Sequence, residues 1–526
     1  MDHFELILLG LLVAVAGLTA LARIIDVPYP ILLVVGGGLL GFIPGLPEVE
    51  LDPDLVLLVF LPPLLFNAAY FASLHELRRD TRTIVLSSVA LVLLTAAIVA
   101  VVAHSAIDGL SWGAAFALGA IVSPTDPLAA TAIAQRLGVP PRLVAMIEGE
   151  ALINDGSALV VYRTAVAAAV GGSFELLDAG WDFLVNVTGG IAIGLVAGVV
   201  LRRAFRLVQQ DPLIGVTLSL VSGYLGYIPA EEVGVSGVLA AVTVGLVLGR
   251  HSTEISTASA RISAYSFWEI LVFLLNATLF ILVGFQLRAI IDAQERSAGT
   301  LVLLGLAISG AVIGSRLLWL NTIPFVIRTL DRRPQQRARR IGWRGRLVTG
   351  WMGLRGAVSL AAALALPRDF PERDLIVFLT VCAIFATLVF QGLTLPWLIR
   401  RLGIHDDGTR AAEELTARTA ATAAAIARMQ ELRDADWTRD GTVDWMISRY
   451  DFRRRRLAQR AGTLAPEDDT GEDLEARSRS YQRLVREGLE AERGAIVALR
   501  DDGTISDAVM YRLEREIDLE DERLEF

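Results

Sequence analysis

From residue 4 to residue 398 the chain alternates apolar stretches of about twenty residues with short polar breaks, and beyond residue 402 that alternation stops. A hydrocarbon core about 30 Å thick is crossed by about twenty helical residues. The pattern therefore predicts about thirteen membrane helices, over residues 4–24, 28–46, 54–72, 83–105, 111–134, 143–169, 181–204, 212–229, 235–250, 266–287, 300–327, 346–366 and 374–398. This is an all-α polytopic membrane protein, with a transmembrane domain over residues 1–401. The first stretch follows Met1-Asp2-His3 with no basic leader and no small-residue cleavage site, so it reads as a retained span rather than a signal peptide. Over residues 402–526 Arg, Asp, Glu and Ala dominate, and runs such as 411–429 and 481–499 suit soluble helices. That segment reads as a cytoplasmic helical tail, a solvated bundle or a dimerisation element.

Two of the predicted spans are broken. In the fifth, Ser123-Pro124-Thr125-Asp126-Pro127 puts two prolines where a helix needs amide donors. In the twelfth, Gly353-Leu354-Arg355-Gly356 sets one charge between glycines. Unpaired backbone groups are costly in lipid, so broken helices are tolerated only where protein or a wet cavity covers them. Each break presents a positive amide end and a negative carbonyl end near the middle of the membrane. The breaks occupy corresponding positions if spans one to six and eight to thirteen are inverted repeats joined by the seventh, a symmetry read from position alone. Such an arrangement points to a transporter's binding site.

All 48 basic residues are arginine, against 57 acids, and the net charge of −9 resides almost entirely in the tail. Arginines gather in alternate loops: Arg78, Arg79 and Arg82; Arg136 and Arg142; Arg202, Arg203 and Arg206; residues 250–261; and the strongly basic run 328–346. Those loops are placed in the cytoplasm. The others carry acids, including Glu48, Glu50, Asp52, Glu175, Asp178, Glu231 and Glu232. An odd number of spans then puts the amino terminus outside and the tail inside. The single cysteine, Cys382, lies in an apolar run and reads as a buried thiol. No metal-ligand spacing among the five histidines, no phosphate loop and no nucleophile signature is present, so an enzyme, a cofactor and a nucleic-acid partner all find no support.

The remaining chemistry is carboxylate. Glu148-Gly149-Glu150-Ala151-Leu152-Ile153-Asn154-Asp155 lies inside the sixth span, where an ionised acid costs roughly 3 kcal/mol and is by default an ion or proton site. Asp155 stands about 18 Å in from Arg142, at mid-bilayer depth. Glu148 shares its helix face, and Glu150 lies about 140° around. A lone arginine at the depth of Arg355 needs an anion, and Glu150 is the expected partner in a structural ion pair. Asn67, Glu269 and Arg163 carry weaker signals: a kinked helix, an interfacial acid and a snorkelling base.

Four segments in order, Phe60-Leu-Pro-Pro-Leu-Leu-Phe66, Ser123-Pro-Thr-Asp-Pro127, Glu148-Gly-Glu-Ala-Leu-Ile-Asn-Asp-Gly156 and Gly353-Leu-Arg-Gly-Ala-Val-Ser359, resemble the monovalent cation:proton antiporters, in the branch of bacterial and archaeal sodium/proton antiporters and animal sodium/proton exchangers. The resemblance covers about residues 1–400. It implies a homodimer of thirteen-helix protomers, each with a dimerisation domain and a six-helix core that moves past it. It also implies that Asp155 binds the cation or proton, that Asn154 supports it, that Thr125 and Asp126 face it, and that Glu150 pairs with Arg355. Gly149 departs from the serine common in relatives. The electrogenic branch has two adjacent aspartates and an intramembrane lysine, whereas here Asn154 precedes Asp155 and no lysine exists. The expectation is electroneutral exchange of Na+ for H+ in a bacterial plasma membrane, serving pH homeostasis. Exchange of K+ or Li+, a cation channel and a membrane-tethered signalling protein are the alternatives.

Overall fold

Every apolar stretch of the membrane domain is helical in a computed structural model of the protein, which describes residues 2–43, 53–171, 176–330, 340–406, 408–460, 474–502 and 504–522. Glu48, Glu50, Asp52, Glu175, Arg332, Arg333, Arg337 and Arg339, used above for sidedness, lie outside the described residues. In chain order come α1 (Asp2–Ile24), α2 (Tyr29–Gly41), α3 (Pro53–Tyr70) and α4 (Leu74–Val85), the last running through a π-helical turn (Leu86–Leu91) into α5 (Val92–Ala106). The fifth stretch is two short helices, α6 (Trp112–Val122) and α7 (Leu128–Arg136). Next are α8 (Pro141–Gly171), α9 (Leu176–Val208), α10 (Pro212–Glu232), α11 (Gly237–Arg250), α12 (Ser252–Ile255), α13 (Ala258–Phe285), α14 (Leu287–Asp292) and α15 (Ala298–Leu330). The twelfth stretch is again a pair, α16 (Trp343–Trp351) and α17 (Ala357–Leu364), and α18 (Arg373–Phe385) passes through a second π-helical turn (Ala386–Gln391) into α19 (Gly392–Leu402). Among the described residues no strand occurs, and six helices are each long and apolar enough to cross a bilayer.

Two compact units result, Met1–Asp406 and Asp407–Phe526. The second holds α20 (Thr409–Glu431), α21 (Asp440–Arg460), α22 (Leu474–Asp501) and α23 (Asp507–Glu522). Here α20 packs on α21, and α22 on α23, where Arg493 meets Asp518 at 2.7 Å and Arg486 meets Asp521 at 3.2 Å.

Within the first unit the helices sort into two bundles. In one, α4 to α6, α8, α15 and the segments α16 to α19 pack chiefly on one another; in the other, α1 to α3, α9 to α11 and α13 do so. The second bundle is drawn tight by glycine: a β-carbon on Gly37 of α2 would strike the Ile281 carbonyl of α13, and one on Gly284 would strike the Val34 carbonyl. Backbone lies on backbone there. Between the bundles run polar links, with Arg163 of α8 on Glu231 at the end of α10 (2.5 Å) and Arg136 on Asp26.

One buried tie sets the depth of α8. Glu150 pairs with both terminal nitrogens of Arg316 from α15, and the two side chains are 6% and 2% exposed. This corrects the expected Glu150–Arg355 pair. Arg316 reaches Glu150 by lying over Gly353, where a β-carbon would collide with its side chain. Arg355 is occupied elsewhere: its Nε donates to the Val122 carbonyl at 3.0 Å, and a terminal nitrogen donates to the Gly353 carbonyl. Breaking one side of a buried pair strands a charge and costs about 3–5 kcal/mol. Arg316→Ala should therefore lower the thermal midpoint in detergent substantially, and the double substitution Glu150→Gln with Arg316→Gln should recover most of the loss. A single variant as stable as the parent chain would show that the pair does not hold α8 to α15.

Candidate functional site

The prolines at 124 and 127 end α6 at Val122 and begin α7 at Leu128, and Gly353 and Gly356 let α16 stop and α17 start around Arg355. The two breaks touch. Asp126 N–H donates to the Leu354 carbonyl at 2.8 Å, and a β-carbon on Gly356 would overlap the Asp126 carboxylate. Asp126 Oδ1 accepts from Leu128 N–H at 2.9 Å, so one carboxylate serves the amide end of α7 while resting against the residue that opens α17. Arg355 does the converse, meeting carbonyls at the end of α6 and just past the end of α16. Its own N–H donates to Thr387 Oγ1 at 3.0 Å, in the second π-helical turn. The first such turn also serves the site, since Ser88 Oγ donates to the Glu150 carbonyl at 3.0 Å. π-turns often occur at functional positions.

Helix α8 presents two chemically distinct faces. Glu148 and Asp155, two turns apart, line a cavity of about 340 Å³ together with Thr125, Asp126, Asn67 and Asn276. Asp126, Glu148 and Asp155 are its acids, and among the described residues no basic side chain lines it. That arrangement attracts cations. Glu150 and Asn154 are buried on the other face and do not line the cavity. Asn154 Nδ2 donates to Thr125 Oγ1 at 2.8 Å, and Thr125 Oγ1 donates to Glu150 Oε1 at 3.4 Å, which links α8 to the first break and onward to Arg316. Asn154 Oδ1 is buried with no hydrogen-bond partner among the described residues.

Of the residues singled out in the sequence, Thr125, Asp126 and Asp155 come together at the cavity, and Asn154 and Glu150 stand behind them. Asn67 also reaches the wall. Glu269 is exposed away from it, and Arg163 is held by Glu231. Gly149 is covered by Leu77 and Ile84, whose side-chain ends a serine would press upon. Sequence reasoning passed over Arg316 and Asn276. Arg316 could have been found by the rule applied to Arg355, because both are single charges inside apolar spans. Asn276 gave only the faint signal of one amide in an apolar helix.

The profile of the transmembrane sodium/hydrogen exchanger family matches residues 10–401. An uncharacterized Na(+)/H(+) exchanger of Mycobacterium tuberculosis is 35% identical over 98% of this chain and 96% of its own length. A Na(+)/H(+) antiporter of Aphanothece halophytica is 33% identical over 81% of this chain and 80% of its own length. Among solved structures, the sodium proton antiporter MjNhaP1 of Methanocaldococcus jannaschii superposes with a TM-score of 0.58 at 19% identity, covering 75% of this chain and 99% of that one, which is a likeness of fold. With the profile spanning both breaks, the acidic run of α8 and the whole two-bundle unit up to α19, the chain belongs to the sodium/hydrogen exchanger family.

Proposed function

We propose that the protein exchanges Na+ for H+ across the bacterial plasma membrane, one for one, with Asp155 as the carrier. The observation that carries this reading is the balance of buried charge around a cavity-facing acid. Arg316 offsets Glu150 and Asp126 is tied to the amide end of α7, so Asp155, two turns farther along α8 than Glu148, is the cavity acid whose occupant changes the charge of the site. Holding either a proton or Na+, it leaves the site with the same net charge. Empty, it adds one negative charge that must cross an apolar barrier, and that penalty suppresses slippage. Such exchange moves no net charge.

Hard alkali cations take oxygen ligands. Asp155, Asp126 and Thr125 supply them from the cavity wall, Asn154 orients Thr125, and the Glu150–Arg316 pair fixes the helix that bears them. Alternating access follows if the bundle carrying both breaks slides along the glycine-packed one, and the apolar exposed residues of α9, such as Trp181, Leu195 and Val196, suit lipid or a second protomer in a homodimer. The arginine pattern sets the amino terminus outside and the tail in the cytoplasm. A broader cation range is the second reading. It is favoured by a relative in Bacillus subtilis, 30% identical over 96% of this chain and 76% of its own length, named a sodium, potassium, lithium and rubidium/H(+) antiporter.

In proteoliposomes, Asp155→Asn should abolish cation-driven proton movement while leaving a folded protein; residual exchange would remove Asp155 as the carrier. Because proton and cation compete for one carboxylate, the half-saturating Na+ concentration should rise about tenfold for each unit of acidification in the proton-saturated range. A half-saturation that stays constant with pH would show separate sites. Clamping and then releasing the membrane voltage should leave the rate of Na+, Li+ or K+ exchange unchanged, and a rate that follows voltage would exclude one-for-one stoichiometry.

A further inference from the structure

The cavity's second wall comes from the glycine-packed bundle and is mostly apolar, with Leu61, Leu64 and Leu65 from α3, which also brings Asn67, and Val272 and Leu279 from α13. Asn276 of α13 interrupts it. The residue is 3% exposed, and its Nδ2 donates to the Val272 carbonyl one turn back at 2.8 Å. That bond satisfies the donor half of the amide and fixes the side chain. Its Oδ1 accepts no hydrogen bond among the described residues, and Asn276 lines the same cavity as Asp155, Asp126 and Thr125. That oxygen is not one of the buried side-chain atoms without a partner, so it is open to the cavity and available to a ligand held there, opposite the cation site. Leucine would pack there equally well if packing were the only demand.

We infer that Asn276 lends its side-chain oxygen to the transported cation while Asp155 faces this cavity, and so sets affinity and ion selectivity on that side of the membrane. The inference rests on the carrier reading above. An amide adds an oxygen ligand without adding charge, so the two loaded forms of the site keep the same net charge. Because Asn276 belongs to the bundle opposite the breaks, its contact is made at one end of the transport cycle and released at the other. Affinity then differs between the two faces.

The test measures Na+, Li+ and K+ half-saturation from each face in membrane vesicles of opposite orientation, for the parent chain, Asn276→Leu, Asn276→Asp and Asp155→Asn. Asn276→Leu should raise the half-saturating Na+ concentration from the cavity side about tenfold, or about 1.4 kcal/mol. It should also alter the Na+:Li+:K+ ratio, and leave the opposite face within about twofold. Asn276→Asp, which keeps an oxygen, should restore tight binding. Equal shifts on both faces, unchanged values for all three ions, or an Asp variant no better than Leu would overturn the inference. If Asp155→Asn is inactive while Asn276→Leu behaves as the parent chain, this inference alone falls. If Asp155→Asn still exchanges, the carrier assignment falls and takes the inference with it.

Discussion

Four helix ends meet in the interior of a membrane domain, where lipid offers nothing to pair their amides and carbonyls, and the rest of the molecule is arranged around that difficulty. Two charged side chains answer it: Arg355 takes carbonyls of both breaks, and Asp126 takes the amide end of α7 while its carboxylate rests against Gly356. Since each charge bridges both breaks, the pair of broken helices behaves as one piece. The glycines at 353 and 356 are required by the same geometry, because Arg316 and Asp126 occupy the space their side chains would fill. With the crossing braced in this way, Asp155 can be placed beside it, facing the cavity.

Much of this was legible in the residues. Proline spacing located the first break, and the helical wheel placed Glu148 with Asp155 and turned Glu150 away, as the cavity lining shows. The choice of ion-pair partner was not legible. Glu150 had two arginines within apolar spans to choose from, and what decides between them is how α15 approaches the second break, a tertiary fact invisible to local pattern. Ser88 and Thr387 were hidden for a related reason. Small hydroxyls in apolar helices ordinarily bond back to their own turn, and only the π-helical turns show where these two sit against the site. Asn276 satisfies half its amide on its own helix, which makes it inconspicuous in sequence.

The absence of lysine acquires a meaning once the charges are placed. Arg316 and Arg355 are both engaged, the first with the Glu150 carboxylate and the second with the Val122 and Gly353 carbonyls, and neither lines the cavity. The site's protonation chemistry is then left to its carboxylates. Asn154 stands where a second aspartate would change the count, and its amide instead passes orientation from Thr125 to α8.

The contact between α2 and α13, made through Gly37 and Gly284, bears on motion. Where main chains touch, no rotamer can be traded to absorb a displacement, so those two helices shift as a single stiff plate or not at all. The seam between the bundles is lined by side chains, which can change rotamer and exchange neighbours one at a time. A change of occupant at the carboxylate therefore finds its mechanical outlet along that softer seam, and the direction of travel is chosen by where the protein is least rigid.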